Sequence, residues 1–221
     1  KGLHGFILKK GSPSCGPFRV KLYGEKGIPF AATEGLFAQE LKAKFPYLPM
    51  EDEGRLNDEK IRENFLTRIF AYARLCSIKE QRFKRSLWVK FHQDNKMLLL
   101  AHGRTHYTKL GRLVANIKDF TPSKFIAEYE KSYMQALENR STPAKNTDVL
   151  LHILGHLKKR LGPDEKQDIL QSIEHFKNGT YPLIVPLTLI RHYVRLFDLE
   201  YIKDQSYLSP HPLELKLRNH T

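Results

Sequence analysis

Asn57-Asp58-Glu59-Lys60-Ile61-Arg62-Glu63-Asn64-Phe65-Leu66-Thr67-Arg68-Ile69-Phe70-Ala71-Tyr72-Ala73-Arg74-Leu75-Cys76 is where the chain changes texture. Ile61, Phe65, Ile69, Tyr72 and Cys76 recur at four- and three-residue steps, the spacing of one face of an α-helix. Asn57 or Asp58 stands where an N-cap side chain is wanted, with acids in the first turn. Cys76 falls on the apolar face and reads as a small core hydrophobe.

Downstream the helical texture continues. The pattern predicts a helix over 81–102 carrying the lone Trp88, and another over 105–116, broken near Gly111. Thr121-Pro122-Ser123 reads as a helix start, because proline is tolerated where the amide has no intrahelical partner. That helix runs through Phe125, Tyr129, Tyr133 and Leu137. Thr142-Pro143 opens another over Val149, Leu150, Ile153 and Leu157. Gly162-Pro163-Asp164 punctuates before a helix over 164–176, ended by Asn178-Gly179. A last long helix is expected from about Pro186 to Phe197, and the proline-bearing tail, 207–221, should wrap the bundle.

Upstream, residues 1–56 are rich in Gly and Pro. Phe6-Ile7-Leu8 reads as a buried strand entering a turn, and Phe18-Arg19-Val20-Lys21-Leu22 alternates as a second strand. Residues 24–32 read as a loop and 36–45 as a short helix ended by Pro46 and Pro49. The expected fold class is therefore α+β: a small α/β fragment over 1–56, followed by a mostly α-helical domain over 57–221. The abrupt opening at Lys1, without an initiator Met or a leader, suggests that residues before it are missing.

The net charge of +13 is the strongest bulk signal. It points to a polyanionic partner, nucleic acid ahead of a membrane surface. No apolar run is long enough to cross a bilayer. Two cysteines, Cys15 and Cys76, make no disulfide framework, and the compartment reads as reducing cytoplasm. Oligomeric state is left open.

Ser12-Pro13-Ser14-Cys15-Gly16 is the sharpest local feature, a turn just after a strand. By residue type Cys15 is a thiolate ligand, a nucleophile or a semi-buried thiol. In the helical part, His92, Asn95 and Lys96 share a helix face, and His102 ends the apolar run behind them. Lys158 and Lys159 end one predicted helix, and Arg191, His192 and Arg195 lie on another. Cations interleaved with His and Tyr suit phosphate contact with base stacking on RNA; a solvated basic face is the plain alternative. His152 and His156 stand at a zinc-ligand spacing, but no carboxylate lies between them in the metalloprotease pattern, so satisfied histidines are the better reading.

Two resemblances sharpen this. Gly5-Phe6-Ile7-Leu8-Lys9-Lys10-Gly11-Ser12-Pro13-Ser14-Cys15-Gly16, with Val20-Lys21-Leu22-Tyr23, Gly35-Leu36-Phe37-Ala38 and Phe45-Pro46-Tyr47-Leu48-Pro49, resembles the C-terminal part of the thiouracil desulfidase family. The resemblance implies a 4Fe–4S cluster held by three cysteines, with one iron left open to take up sulfur. Cys15 matches the last ligand, and Ser12 matches a hydroxyl beside the reaction centre. The two earlier cysteines and a catalytic Glu have no counterpart and are expected before Lys1. This chain alone is therefore expected to hold no cluster and to be inactive. Phe91-His92-Gln93-Asp94-Asn95-Lys96-Met97-Leu98-Leu99-Leu100-Ala101-His102, with Val114-Ala115-Asn116, Tyr181-Pro182-Leu183-Ile184-Val185-Pro186-Leu187, Gln205, Pro210-His211-Pro212 and Leu217-Arg218-Asn219, resembles the YbgA-like domain; His156 departs from an expected Tyr. Together the resemblances imply a desulfidase that removes sulfur from thiolated uridine in tRNA, the helical domain holding the RNA. The alternatives are a non-catalytic nucleic-acid-binding module and a desulfidase of free thiopyrimidines.

Overall fold

The computed structural model describes residues 2–24, 27–212, 215, 217 and 218. Lys1, Glu25, Lys26, Leu213, Glu214, Lys216 and residues 219–221 lie outside them, and with them parts of the predicted loop and tail. The chain is α+β and mostly helical, and it divides into two compact units, Lys1–Cys76 and Ser77–Thr221. The division falls inside a helix rather than at the change of composition at 56/57.

In the first unit, β1 (Phe6–Leu8) pairs in parallel with β4 (Met50–Asp52), Phe6 opposite Met50. Between them come the antiparallel pair β2 (Val20–Tyr23) and β3 (Pro29–Thr33), then α1 (Leu36–Lys44). The predicted loop over 24–32 thus ends in a strand, and β4 carries no strand signal in the sequence. Three residues carry too little periodicity to declare a strand without its partner. Leu8, Ala38, Leu48 and Met50 form the core, with Phe6, Cys15, Leu41 and Tyr72 packed against it. The β4 carboxylates are buried and satisfied: Arg55 Nε bonds Glu51 at 2.8 Å, and the Arg55 amide donates to Asp52 at 2.8 Å.

Helix α2 (Glu59–Lys79) begins where the cap was expected; Asp58 accepts from the Ile61 amide at 2.9 Å. Its deepest row is Thr67, Ala71, Leu75 and Ile78, at four- and three-residue steps. Phe65 is also buried, whereas Ile61, Ile69, Tyr72 and Cys76 are half-buried, so the predicted face is rotated from the one most fully covered.

The second unit holds α3 (Arg85–His102), α4 (Arg104–Ala115), α5 (Pro122–Glu138), α6 (Pro143–Leu157), α7 (Pro163–Lys177), α8 (Ile184–Leu196) and α9 (Glu200–Lys203). Each predicted Pro start stands at a helix N-terminus. Thr142 Oγ1 caps α6 by accepting from the Lys145 amide, and Glu165 reaches back to the Gly162 amide at 2.7 Å to cap α7. Two expectations are corrected. Helix α3 starts at Arg85, because Gln81 turns back on α2 through its amide to Ile78. Helix α4 passes through Gly111 unbroken, held by buried Leu110 and Val114 on either side.

Aromatic rings join α3 to α5: Trp88 lies 5.4 Å from Phe125 and 5.3 Å from Tyr129, and Phe91 lies 5.5 Å from Tyr133. The two helices run parallel, since His92 meets Tyr129, Asn95 meets Tyr133 and His102 meets the Asn139 carbonyl. The tail packs as expected where it is described: Tyr207 and Leu208 are buried, Tyr207 OH donates to Asn146 at 3.0 Å, and Arg218 donates to the Tyr207 carbonyl at 2.7 Å.

Glycines give a direct test of this packing. Gly35 has an ordinary extended conformation that any residue adopts, but an added Cβ would run into the Ser14 carbonyl and come 2.8 Å from the Cys15 nitrogen. Gly35→Ala should cost the first unit about 3 kcal/mol, because backbone cannot rotate away. Gly155, exposed on helix α6 with open space beside it, should gain up to about 1 kcal/mol on substitution by Ala. Urea unfolding of both variants checks the contrast; equal effects would contradict it.

Candidate nucleic-acid interface

The predicted turn in the first unit is tightly built. Ser12 Oγ accepts from the Cys15 amide at 3.1 Å, and the Ser12 carbonyl accepts from the Gly16 amide at 2.8 Å. The turn rests on the start of α1, whose Leu36 and Phe37 amides donate to the Pro13 and Ser14 carbonyls at 3.2 and 2.9 Å. Ser12 and Cys15 are thereby held side by side, with Cys15 half-buried. A 4Fe–4S cluster with one open iron needs three thiolates. The described residues bring one to this turn, and none of them form a group of three His, Cys, Asp or Glu placed to hold a metal ion. These residues do not by themselves fit the cluster.

In the second unit the expected RNA contacts fall into two sets. His92, Asn95 and His102 are buried, at 5%, 2% and 4% exposure, so the expectation that they face RNA is corrected. They serve the core. Asn95 Oδ1 accepts from Tyr133 OH at 2.8 Å and from Ser206 Oγ at 2.7 Å, while its Nδ2 donates to the Phe91 carbonyl at 2.8 Å. Gln205 inserts its carboxamide into α3: Nε2 donates to the Gln93 carbonyl at 2.7 Å, and Oε1 accepts from the Met97 amide at 3.1 Å. Those are the two groups an α-helix pairs with each other. The Ser206 amide donates to the Asp94 carbonyl one residue along, at 2.8 Å.

His92 Nδ1 pairs with Tyr129 OH at 3.2 Å, and its Nε2 has no hydrogen-bond partner among the described residues. Burial, with half-buried Lys96 nearby, lowers its pKa from 6.5 to about 4. Burial likewise holds the Tyr129 phenol well above its ordinary value.

The second set lies where α6 and α8 end. Lys158 caps the C-terminus of α6, Lys159 and Arg160 follow, and Arg160 Nη1 donates to the Phe197 carbonyl at the end of α8. Lys158, Lys159, His192 and Arg195 are exposed. Arg191 is half-buried, and burial together with nearby Arg218 lowers its pKa. His156 stands 5.3 Å from both His152 and Tyr201, and its pKa is lowered by burial and then by His152. The structure thus joins Lys158, Lys159 and Arg195 at neighbouring helix ends. Cations there have a structural reason as well, since the carbonyl end of a helix stabilises each by about 0.3–1 kcal/mol. No spacing in the sequence marks Gln205 as an insertion into α3, because its partners lie over a hundred residues away.

Two measurements probe this core. Asn95→Ala removes the buried acceptor shared by the Tyr133 and Ser206 hydroxyls and should cost about 1–3 kcal/mol in urea unfolding. His92 sets a pH dependence. Its folded pKa is depressed, so the unfolded chain takes up the proton first on acidification. The stabilisation is complete above pH 6.5, declines below it and is gone once pH passes about 4. The loss should be on the order of 3 kcal/mol, and His92→Gln should flatten that part of the profile. An unchanged profile in His92→Gln would contradict the assignment.

The chain matches the family model described as "Protein of unknown function (DUF1722)" over residues 96–212. It is 28% identical over 165 residues to "Uncharacterized protein YbgA" of Escherichia coli (strain K12), an alignment that covers 74% of this chain and 98% of that protein. No solved structure matches it. No described helix is long and apolar enough to cross a membrane. The family match takes in more than half of the 221 residues, from the middle of α3 to the packed tail, and the chain belongs to the DUF1722 family.

Proposed function

We propose that the helical unit holds RNA, in a protein whose first unit contributes part of an iron–sulfur desulfidase acting on thiolated uridine in tRNA. The carrying observation is the charge: +13 overall, with exposed Lys and Arg side chains on the helical unit that are not consumed in ion pairs among the described residues, among them Lys158, Lys159 and Arg195. An unpaired, exposed cation keeps its counterions until a phosphate displaces them. The desulfidase half draws on the turn that holds Ser12 and Cys15 side by side against the start of α1. Cys15 would be one cluster thiolate, with the other two outside this sequence. The same exposed charge also suits the second reading, a nucleic-acid-binding module without catalysis.

Each neutralised phosphate of single-stranded RNA contributes about 0.7 to the log–log salt slope. The affinity of this chain for unmodified tRNA should therefore fall with salt at a slope of roughly −2 to −4 in a fluorescence anisotropy titration. A salt-independent affinity would remove RNA from the account and leave free thiopyrimidine as the substrate class. In a longer protein supplying the other thiolates, Cys15→Ala should abolish the brown cluster absorbance and Cys76→Ala should keep it; a Cys15→Ala protein with an intact cluster spectrum contradicts the ligand role.

A further inference from the structure

The charge of the helical unit is unevenly spread. Residues 82–124 hold ten Lys and Arg against two acids, Asp94 and Asp119, whereas residues 125–221 hold thirteen against twelve. Asp94 is already paired with Lys90 at 2.6 Å. The excess therefore belongs to the stretch that forms α3, α4 and the start of α5, not to the stretch that carries Lys158, Lys159 and Arg195.

The fold gathers part of that excess at one end. Helices α3 and α5 run parallel, so their N-termini lie side by side: Phe83, just before α3, is 6.1 Å from Phe125 in the first turn of α5. Arg82, Lys84 and Arg85 flank Phe83, and Lys124 adjoins Phe125 with its ammonium 5.8 Å from the Phe120 ring. Helix α4 turns back along α3, bringing Gly111 opposite His92 Nε2, and the chain from its end passes through Lys118 to reach the start of α5. Arg82, Lys84, Arg85, Lys118 and Lys124 are all exposed, and none has an ion-pair partner among the described residues.

These cations oppose the helices they sit on. A helix N-terminus carries about half a positive charge and favours acids. Neither α3 nor α5 has an acid in its first turn or a side-chain cap. By contrast, α7 has Asp164 and Glu165 there, and the α6 and α8 cations lie at the end that welcomes them. Helix stability thus accounts for the α6 and α8 cations and runs against those on α3 and α5. The half-buried rings of Phe83 and Phe120 lie among the latter, and an aromatic face among cations is how sequence-tolerant base stacking is built.

We infer that the paired N-terminal ends of α3 and α5 are the main phosphate-binding surface of the helical unit, taking the backbone of a single-stranded or looped RNA segment across Arg82, Lys84, Arg85, Lys118 and Lys124. This rests on the RNA-holding reading above.

The test is anisotropy with labelled tRNA over a salt series on the full chain. The variant Arg82→Gln/Arg85→Gln/Lys124→Gln should lose at least tenfold in affinity near 0.1 M salt, and its log–log slope should flatten by roughly 2, three contacts at about 0.7 each. Lys166→Gln/Lys177→Gln/Lys203→Gln removes the same charge from exposed positions elsewhere and should stay within about threefold of the parent, since long-range charge is screened. The charge-preserving Arg82→Lys/Arg85→Lys/Lys124→Arg should bind like the parent, and the melting temperature of the Gln variant should hold or rise, which separates lost contact from lost fold. Equal losses in the two Gln variants, or parent-like binding in the first while the parent chain binds tRNA, overturn the inference and leave the RNA reading standing. Absence of tRNA binding by the parent, with binding to anionic lipid vesicles or an acidic peptide instead, overturns both.

Discussion

The Gln205 carboxamide lies between the Gln93 carbonyl and the Met97 amide of α3, and the organisation of the helical unit depends on it. A side chain inserted into the i→i−4 ladder satisfies the groups it separates only while it stays in place. The next residue, Ser206, donates to Asn95, which also accepts from Tyr133 of α5. The tail, α3 and α5 are thus joined by one buried polar network. Such networks specify a single arrangement because each buried polar group is costly to leave unmade. The consequence at the surface is that α3 and α5 are fixed parallel and in register, which sets their two N-termini, and the cations around them, beside one another.

How much of this was legible in the sequence follows from what each feature needs. Helices begun by Thr121-Pro122, Thr142-Pro143 and Gly162-Pro163 are specified locally, by a ring and a cap, and stand where the sequence places them. Strand β4 needs β1 opposite it, and Gln205 needs α3, so neither has a local signature. Gly111 reads as a breaker only when the buried Leu110 and Val114 beside it are left out of account.

For the site, the block around His92 and Asn95 stands out as polar, but density of polar residues does not distinguish a buried network from an exposed surface. Both residues turn inward, and so does His102. The cations at 82–85 and 124 were as visible in the sequence as Lys158 and Lys159. Their significance lies in standing at the wrong end of a helix, and that requires knowing where α3 begins. Ser12 and Cys15 were placed in a turn by the glycines around them, and the packing of Gly16 and Gly35 against that turn explains why glycine is needed there.

The central claim is that RNA lies across the shared N-terminal end of α3 and α5. Photo-crosslinking of this chain to tRNA carrying 4-thiouridine, followed by mass spectrometry of the linked peptides, addresses it directly. The account predicts crosslinks within residues 82–88 and 118–125, with Phe83 or Phe120 among the modified positions. Crosslinks confined to residues 156–160 and 191–197, at the ends of α6 and α8, would contradict it.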